Sequence, residues 1–302
     1  MTVLLIGTED GLQQLPRKGA QGAVQLPGQD VTAFAMNAGV SWAIADGDTL
    51  WRSDSGGDWE RAASVEDLRA NCLCPTPSGL LLGTSEAHLI RLADGELQAV
   101  GSFDRAEGRE EWYTPWGGPP DVRSISRGDD GTIYANVHVG GIVRSRDDGA
   151  SWEPTIDIHA DVHEVLVPKG HGRLVVAACA RGLVGSDDGG DTWILETDGL
   201  HATYCRAVAV GDETLYLSAS LGPRGGRAAL YRIPISGGPF EKCSDGFPEW
   251  FPSNIDTGWV AASGTEVAFG TDDGSVFVSG DSGGTWEEWA TGLPPVRCVA
   301  LA

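Results

Sequence analysis

Apolar residues in this chain come in short runs, each followed within a few positions by Gly, Asp or Ser. Leu80-Leu81-Leu82, Val175-Val176-Ala177 and Val267-Ala268-Phe269 have strand length, and the spacing of a long amphipathic helix is absent. One run recurs as Leu50-Trp51-Arg52-Ser53, Ile142-Val143-Arg144-Ser145, Leu183-Val184-Gly185-Ser186 and Val276-Phe277-Val278-Ser279. Looser copies begin at Leu12, Leu89 and Leu230. Successive starts are separated by 38, 39, 53, 41, 47 and 46 residues, and passing from 276 through the C-terminus back to 12 gives 38 again. Seven units of this length predict an all-β, seven-bladed β-propeller, with residues 1–302 as one propeller domain. Each unit carries two further apolar runs upstream, but the first has only Val3-Leu4-Leu5-Ile6, while the last is followed by a spare run, Val296-Arg297-Cys298-Val299. The C-terminal strand is therefore expected to complete the first blade, which removes the exposed edge of an open array.

A turn motif follows the recurring run. Ser-x-Asp-x-Gly-x-Thr/Ser-Trp occurs at 145–152, 186–193 and 279–286, and 52–59 is a degenerate copy with Asp58 at the hydroxyl position. The carboxylate can accept backbone N–H bonds across the turn, Gly takes a positive φ, and Trp packs beneath. In this motif, and in the repeat that carries it, the chain resembles the sialidase-like Asp-box (BNR repeat) propellers. The resemblance implies that the box is a structural turn remote from the functional face.

Charge narrows the partners. Acidic residues number 43 against 21 basic, a net of −22. Such a surface repels phosphate backbones and anionic lipid, so neither nucleic acid nor membrane is expected as a partner. No apolar stretch approaches the roughly 18 residues of a membrane span. Cys72, Cys74, Cys179, Cys205, Cys243 and Cys298 mostly sit inside apolar runs, and the spacing of Cys72 and Cys74 suits neither a zinc knuckle nor a disulfide. Buried, reduced thiols in a cytoplasmic protein are the expectation, and no cofactor is expected.

The candidate chemistry gathers on one face, where propellers carry the connections between blades and the turns between second and third strands. Trp112, Tyr113 and Trp116 fall in the longest connection, 101–121, and Trp250 and Phe251 in 244–254. His88, His138, His159, His163 and His201 fall there too, and His171 on the other face. Aligning the innermost strands gives one position reading Thr32, Arg69, Arg123, His163, Arg206, Asp256 and Arg297, with Asp30, Asp67, Asp121, Asp161, Tyr204, Asn254 and Pro295 two residues earlier. An acidic ring thus lies above a basic one at the expected channel mouth. Asp67 with Arg69, Asp121 with Arg123 and Asp161 with His163 are placed to pair and stitch blades together. Tyr204 and Pro295 cannot neutralise Arg206 and Arg297, so unmatched positive charge is expected near blades 6, 7 and 1, with Asp256 the nearest counter-ion.

Two function classes follow. In the first, Tyr204, Asp256 and His163 act on a small anionic or carbohydrate-like ligand, in a hydrolase- or lyase-type reaction. Arg69, Arg123, Arg206, Arg297, His138, His201, Trp112 and Trp116 hold that ligand. For sialidases the resemblance implies three carboxylate-binding arginines and a Tyr–Glu nucleophile, and Tyr204 stands beside Arg206. Sialidases, however, are typically six-bladed, and their Arg-Ile-Pro precedes the first box, whereas Arg232-Ile233-Pro234 belongs to the third strand of the sixth unit. Sialidase activity itself is not expected. In the second class the chain is a non-catalytic scaffold that binds a protein partner through the aromatic loop 101–121, as the photosystem II assembly factors and sorting receptors among Asp-box propellers do. A metal site from His138, His159, His163 and His201 ranks below both, because no ligand spacing is diagnostic and neighbouring arginines oppose a cation. No metal is expected.

Overall fold

The computed structural model describes residues 3–16 and 22–302. Among them, 28 strands pair into seven four-stranded sheets, the blades of a seven-bladed β-propeller. The recurring run is the third strand of every blade, which explains its regular spacing. Blade 1 consists of Val296–Leu301, Leu4–Thr8, Gly11–Leu15 and Ala23–Gln25. Its C-terminal strand pairs antiparallel with the N-terminal one, Leu4 opposite Leu301 and Ile6 opposite Val299, and Val3 and Ala302 exchange two backbone hydrogen bonds of 2.9 Å. The expected closure is therefore present.

Packing divides the chain into two compact units. One comprises the residues up to Phe34, Ala180–Leu183 and Glu196–Ala302, and so holds blades 1, 6 and 7. Its core is aromatic: Phe251, Phe269, Phe277 and Trp286 are buried together with Phe247 against them. The other comprises Ala35–Cys179 and Val184–Leu195, with blades 3 and 4 and most of 2 and 5. There Phe103 packs edge-on to Trp152 at 5.2 Å, above buried Val122, Ile133 and Val143.

The three complete turn motifs close the same bonds. Ser279 Oγ donates to Asp281 (2.7 Å) and accepts from Gly283 N–H (2.9 Å), while Thr285 donates to Asp281 through its N–H and its hydroxyl, both at 2.8 Å. Ser145 with Asp147, and Ser186 with Asp188, repeat the pattern. Thr285 N–H, followed by the Ser279 and Thr285 hydroxyls, holds the Asp281 carboxyl down at about 2. Gly283 has φ 75°, a left-handed conformation that a side chain at this tight turn would strain.

Another local feature positions the candidate site. The first strand of blade 4 (Asp121–Arg127) loses register against Ile133–His138 between Val122 and Ser124, leaving Arg123 as the extra residue of a β-bulge. His163 holds the same place in blade 5, where Val162–Leu166 pairs with Val175–Cys179. In blade 6 the slip between Cys205 and Val208 contains Arg206, and in blade 1 the slip contains Arg297. A bulge re-aims its side chain, so four members of the aligned ring share a backbone cause. Blade 3 corrects the alignment: its bulge residue is Asn71, and Arg69 is exposed, just ahead of the strand Ala70–Thr76. Asp256 likewise precedes the first strand of blade 7, Val260–Ser263, and does not lie on it.

Candidate functional site

At the junction of blades 4 and 5, three ionisable side chains meet. His138 ends the second strand of blade 4, and Asp161 and His163 flank Val162 at the start of blade 5. Asn136, fully buried, ties the two blades: its Oδ1 accepts from Ser124 N–H (2.7 Å) and Ser124 Oγ (2.6 Å), and its Nδ2 donates to Val162 O (2.7 Å). The amide thus caps the Arg123 bulge and fixes the residue between Asp161 and His163. His138 is 2% exposed and His163 0%. His138 Nε2 lies 2.7 Å and His163 Nε2 3.3 Å from Asp161 Oδ1. Burial would raise the Asp161 carboxyl, but the two imidazoles beside it outweigh burial and hold it well below the usual carboxylate range. Burial chiefly, with the Arg123 charge adding to it against the opposing pull of Asp161, lowers the basicity of His138 and favours its neutral form.

The loop 101–121 covers this junction. Tyr113 and Val139 exchange backbone hydrogen bonds of 3.1 and 3.2 Å, so the loop runs beside the turn after His138. Trp112 is 8% exposed, packed on Phe103 at 5.5 Å with the Arg109 guanidinium 5.1 Å from its ring. Gly140 makes this approach feasible, since a Cβ there would stand 2.9 Å from the Trp112 ring. Trp112 is therefore an anchor of the loop and has no face for a ligand. Trp116 is the reverse case: 63% exposed, with its ring centred 5.1 Å from the His138 imidazole.

The expected unmatched arginines are matched. Arg206 Nη1 pairs closely with Asp256 Oδ2, and its guanidinium lies 5.6 Å from the Tyr204 ring centre. Ser218 performs here the task Asn136 performs in blade 4, accepting from Ala207 N–H (2.9 Å) and donating to Ile255 O (2.8 Å) next to Asp256. Arg297 pairs with Glu9 and, at 3.3 Å, with Asp30. Asp256 and Asp30 come from the neighbouring blade and Glu9 from Arg297's own blade, so Asp256, the counter-ion named from the sequence, is joined by two that were not. Conversely, no ion pair joins Asp67 to Arg69 among the described residues.

Of the predicted site residues, Tyr204, Arg206 and Asp256 are thus together, as are His138, His163 and Arg123. His201 shares a 2.7 Å hydrogen bond with Tyr231 Oη and packs 4.6 Å from Trp250, which the Lys242 ammonium caps at 3.5 Å. His159 is exposed, 6.1 Å from Tyr113. The pairing of Asp161 with His163 is as expected, but Asn136 and the second imidazole, His138, on Asp161 were missed; an Asn inside the apolar run Tyr134-Ala135-Asn136-Val137 was the available signal. A cleft of about 740 Å³ opens elsewhere, at turns of blades 2 and 3 around Trp42, Arg52 and Pro77, but it gathers no cluster of ionisable groups.

No family model and no curated protein matches the chain. Solved structures match its fold at low identity. A catalytically inactive variant of virginiamycin B lyase from Staphylococcus aureus with quinupristin aligns at TM-score 0.62 and 15% identity, over 86% of this chain and 84% of that one. YCF48 bound to D1 peptide aligns at 0.61 and 15%, over 95% and 89%, and an ancestral GH74 enzyme at 0.63 and 15%, over 98% and 40%. These likenesses establish the propeller fold, which is shared by a lyase, a glycoside hydrolase and a peptide binder alike.

Proposed function

We propose that the chain binds a small anionic or sugar-acid-like ligand at the junction of blades 4 and 5 and moves a proton on it. The observation that carries this reading is the pair of buried imidazoles on one carboxylate, His138–Asp161–His163, beside Arg123 and beneath an exposed indole. Buried ionisable groups meeting at the ends of strands are costly to fold around, which makes them candidates for a functional site. Trp116 gives a face for a sugar ring and Arg123 a planar fork for a carboxylate or phosphate. A neutral His138 accepts a proton and Asp161 steadies the charge that results, the requirement for abstraction next to a carboxylate or for hydrolysis. Calorimetric titration with uronic acids, sugar phosphates and dicarboxylates tests the reading. Saturable binding that Arg123→Gln weakens more than tenfold is expected, and a complete panel without heat would overturn it.

Exposed Tyr113 (46%) and Trp116 on the same loop favour a second reading, a protein or peptide partner. That reading expects Trp116→Ala and Tyr113→Ala to abolish partner capture while His163→Ala leaves it intact.

A further inference from the structure

His138, Asp161 and His163 each offer a ligand atom within 4.8 Å of the others, and Asp161 Oδ1 stands 2.7 Å from His138 Nε2 and 3.3 Å from His163 Nε2. Metal–ligand bonds of about 2.0–2.1 Å set neighbouring ligand atoms about 2.9–3.3 Å apart around one first-row cation, so both edges lie within a few tenths of an ångström of that range. His138 Nε2, Asp161 Oδ1 and His163 Nε2 are all buried, and the one carboxylate oxygen faces both imidazoles.

We infer that His138, Asp161 and His163 hold one divalent transition cation such as Zn²⁺, with its remaining positions open to the ligand. Two imidazoles and a carboxylate suit zinc, cobalt, nickel or ferrous iron better than calcium or magnesium, which prefer all-oxygen sites. Arg123 opposes a cation, but Asp161 offsets one of its two charges, and what remains adds to Arg123 in attracting an anion. Asn136 supplies the support a metal site needs behind its ligands, through its bond to Val162 O.

The inference rests on reading this cluster as the functional site, with one change: a metal held by His138 takes the lone pair a proton would use, so His138 then serves as ligand and not as base. Its test needs no organic ligand. Chelator-treated protein is titrated with Co²⁺ and followed by its visible absorption, then challenged with Zn²⁺. One equivalent of Co²⁺, displaced by Zn²⁺, is expected. Asp161→Asn and His163→Ala should each weaken Co²⁺ binding at least tenfold, and His159→Ala should leave it unchanged. Asp161→Asn preserves size and shape, so it keeps the test valid if His163→Ala fails to fold. No saturable cobalt band, or a band that survives Asp161→Asn, overturns the inference. Anion binding by the metal-free protein without a cobalt band removes the metal and leaves the anion reading, and a cobalt band without anion binding does the opposite.

Discussion

The junction of blades 4 and 5 and the junction of blades 6 and 7 are built alike and end in different chemistry. Each has a bulge that presents an arginine, Arg123 or Arg206, and a buried polar side chain on the second strand, Asn136 or Ser218. Each polar side chain bonds a carbonyl of the next blade, beside an aspartate. In the 6–7 junction that aspartate, Asp256, pairs with the bulge arginine itself. In the 4–5 junction Asp161 is taken by two imidazoles, His138 and His163. The two junctions thus differ in what holds the acid, an arginine in one and two imidazoles in the other. The repeat supplies the frame, and substitution at one or two positions per blade supplies the chemistry.

The largest expected effect tests the shared frame. Asn136→Ala leaves buried partners on two blades unsatisfied and should cost about 2–4 kcal/mol in urea unfolding. A loss under about 1 kcal/mol would show that the amide does not hold the junction. Arg206→Ala comes next. It strands the half-buried Asp256 carboxylate and should cost about 2 kcal/mol, less than a fully buried pair because both partners keep some contact with water. A change below about 0.5 kcal/mol would reduce the pair to an ordinary surface contact and blur the contrast between the junctions. Ser218→Ala should cost about 1–2 kcal/mol and leave ligand binding alone, whereas Asn136→Ala should impair both. The smallest stability effect belongs to Trp116→Ala, whose indole is mostly in water. Its melting temperature should match the parent while ligand affinity falls several-fold, and an unaltered affinity would remove the indole from the site.

The fold was legible because every third strand must bury one face and so repeats the same apolar run, and because Val3-Leu4-Leu5-Ile6 and Val296-Arg297-Cys298-Val299 each lacked a partner within their own unit. The ring position was legible for the same reason: Arg123, His163, Arg206 and Arg297 occupy equivalent bulges. A bulge adds a residue without altering the apolar pattern, however, so in blade 3 the register fell on Arg69 where the bulge holds Asn71. Pairing between different blades was legible only in part. Asp256 was readable as a nearby counter-ion of Arg206, but Arg297 finds Asp30 267 residues away, a distance at which position within a repeat carries no information. The same limit hid His138, which reaches Asp161 from the end of a different blade's second strand.

The contrast between the junctions is tested most directly by one calorimetric comparison. Arg123→Gln and Arg206→Gln would be titrated, alongside the parent protein, with the tightest-binding uronic acid, sugar phosphate or dicarboxylate. Arg123→Gln should lose more than tenfold in affinity, beyond about 1.4 kcal/mol, while Arg206→Gln stays within twofold of the parent. Loss of binding in Arg206→Gln with Arg123→Gln unaffected would contradict the account and move the site to the junction of blades 6 and 7.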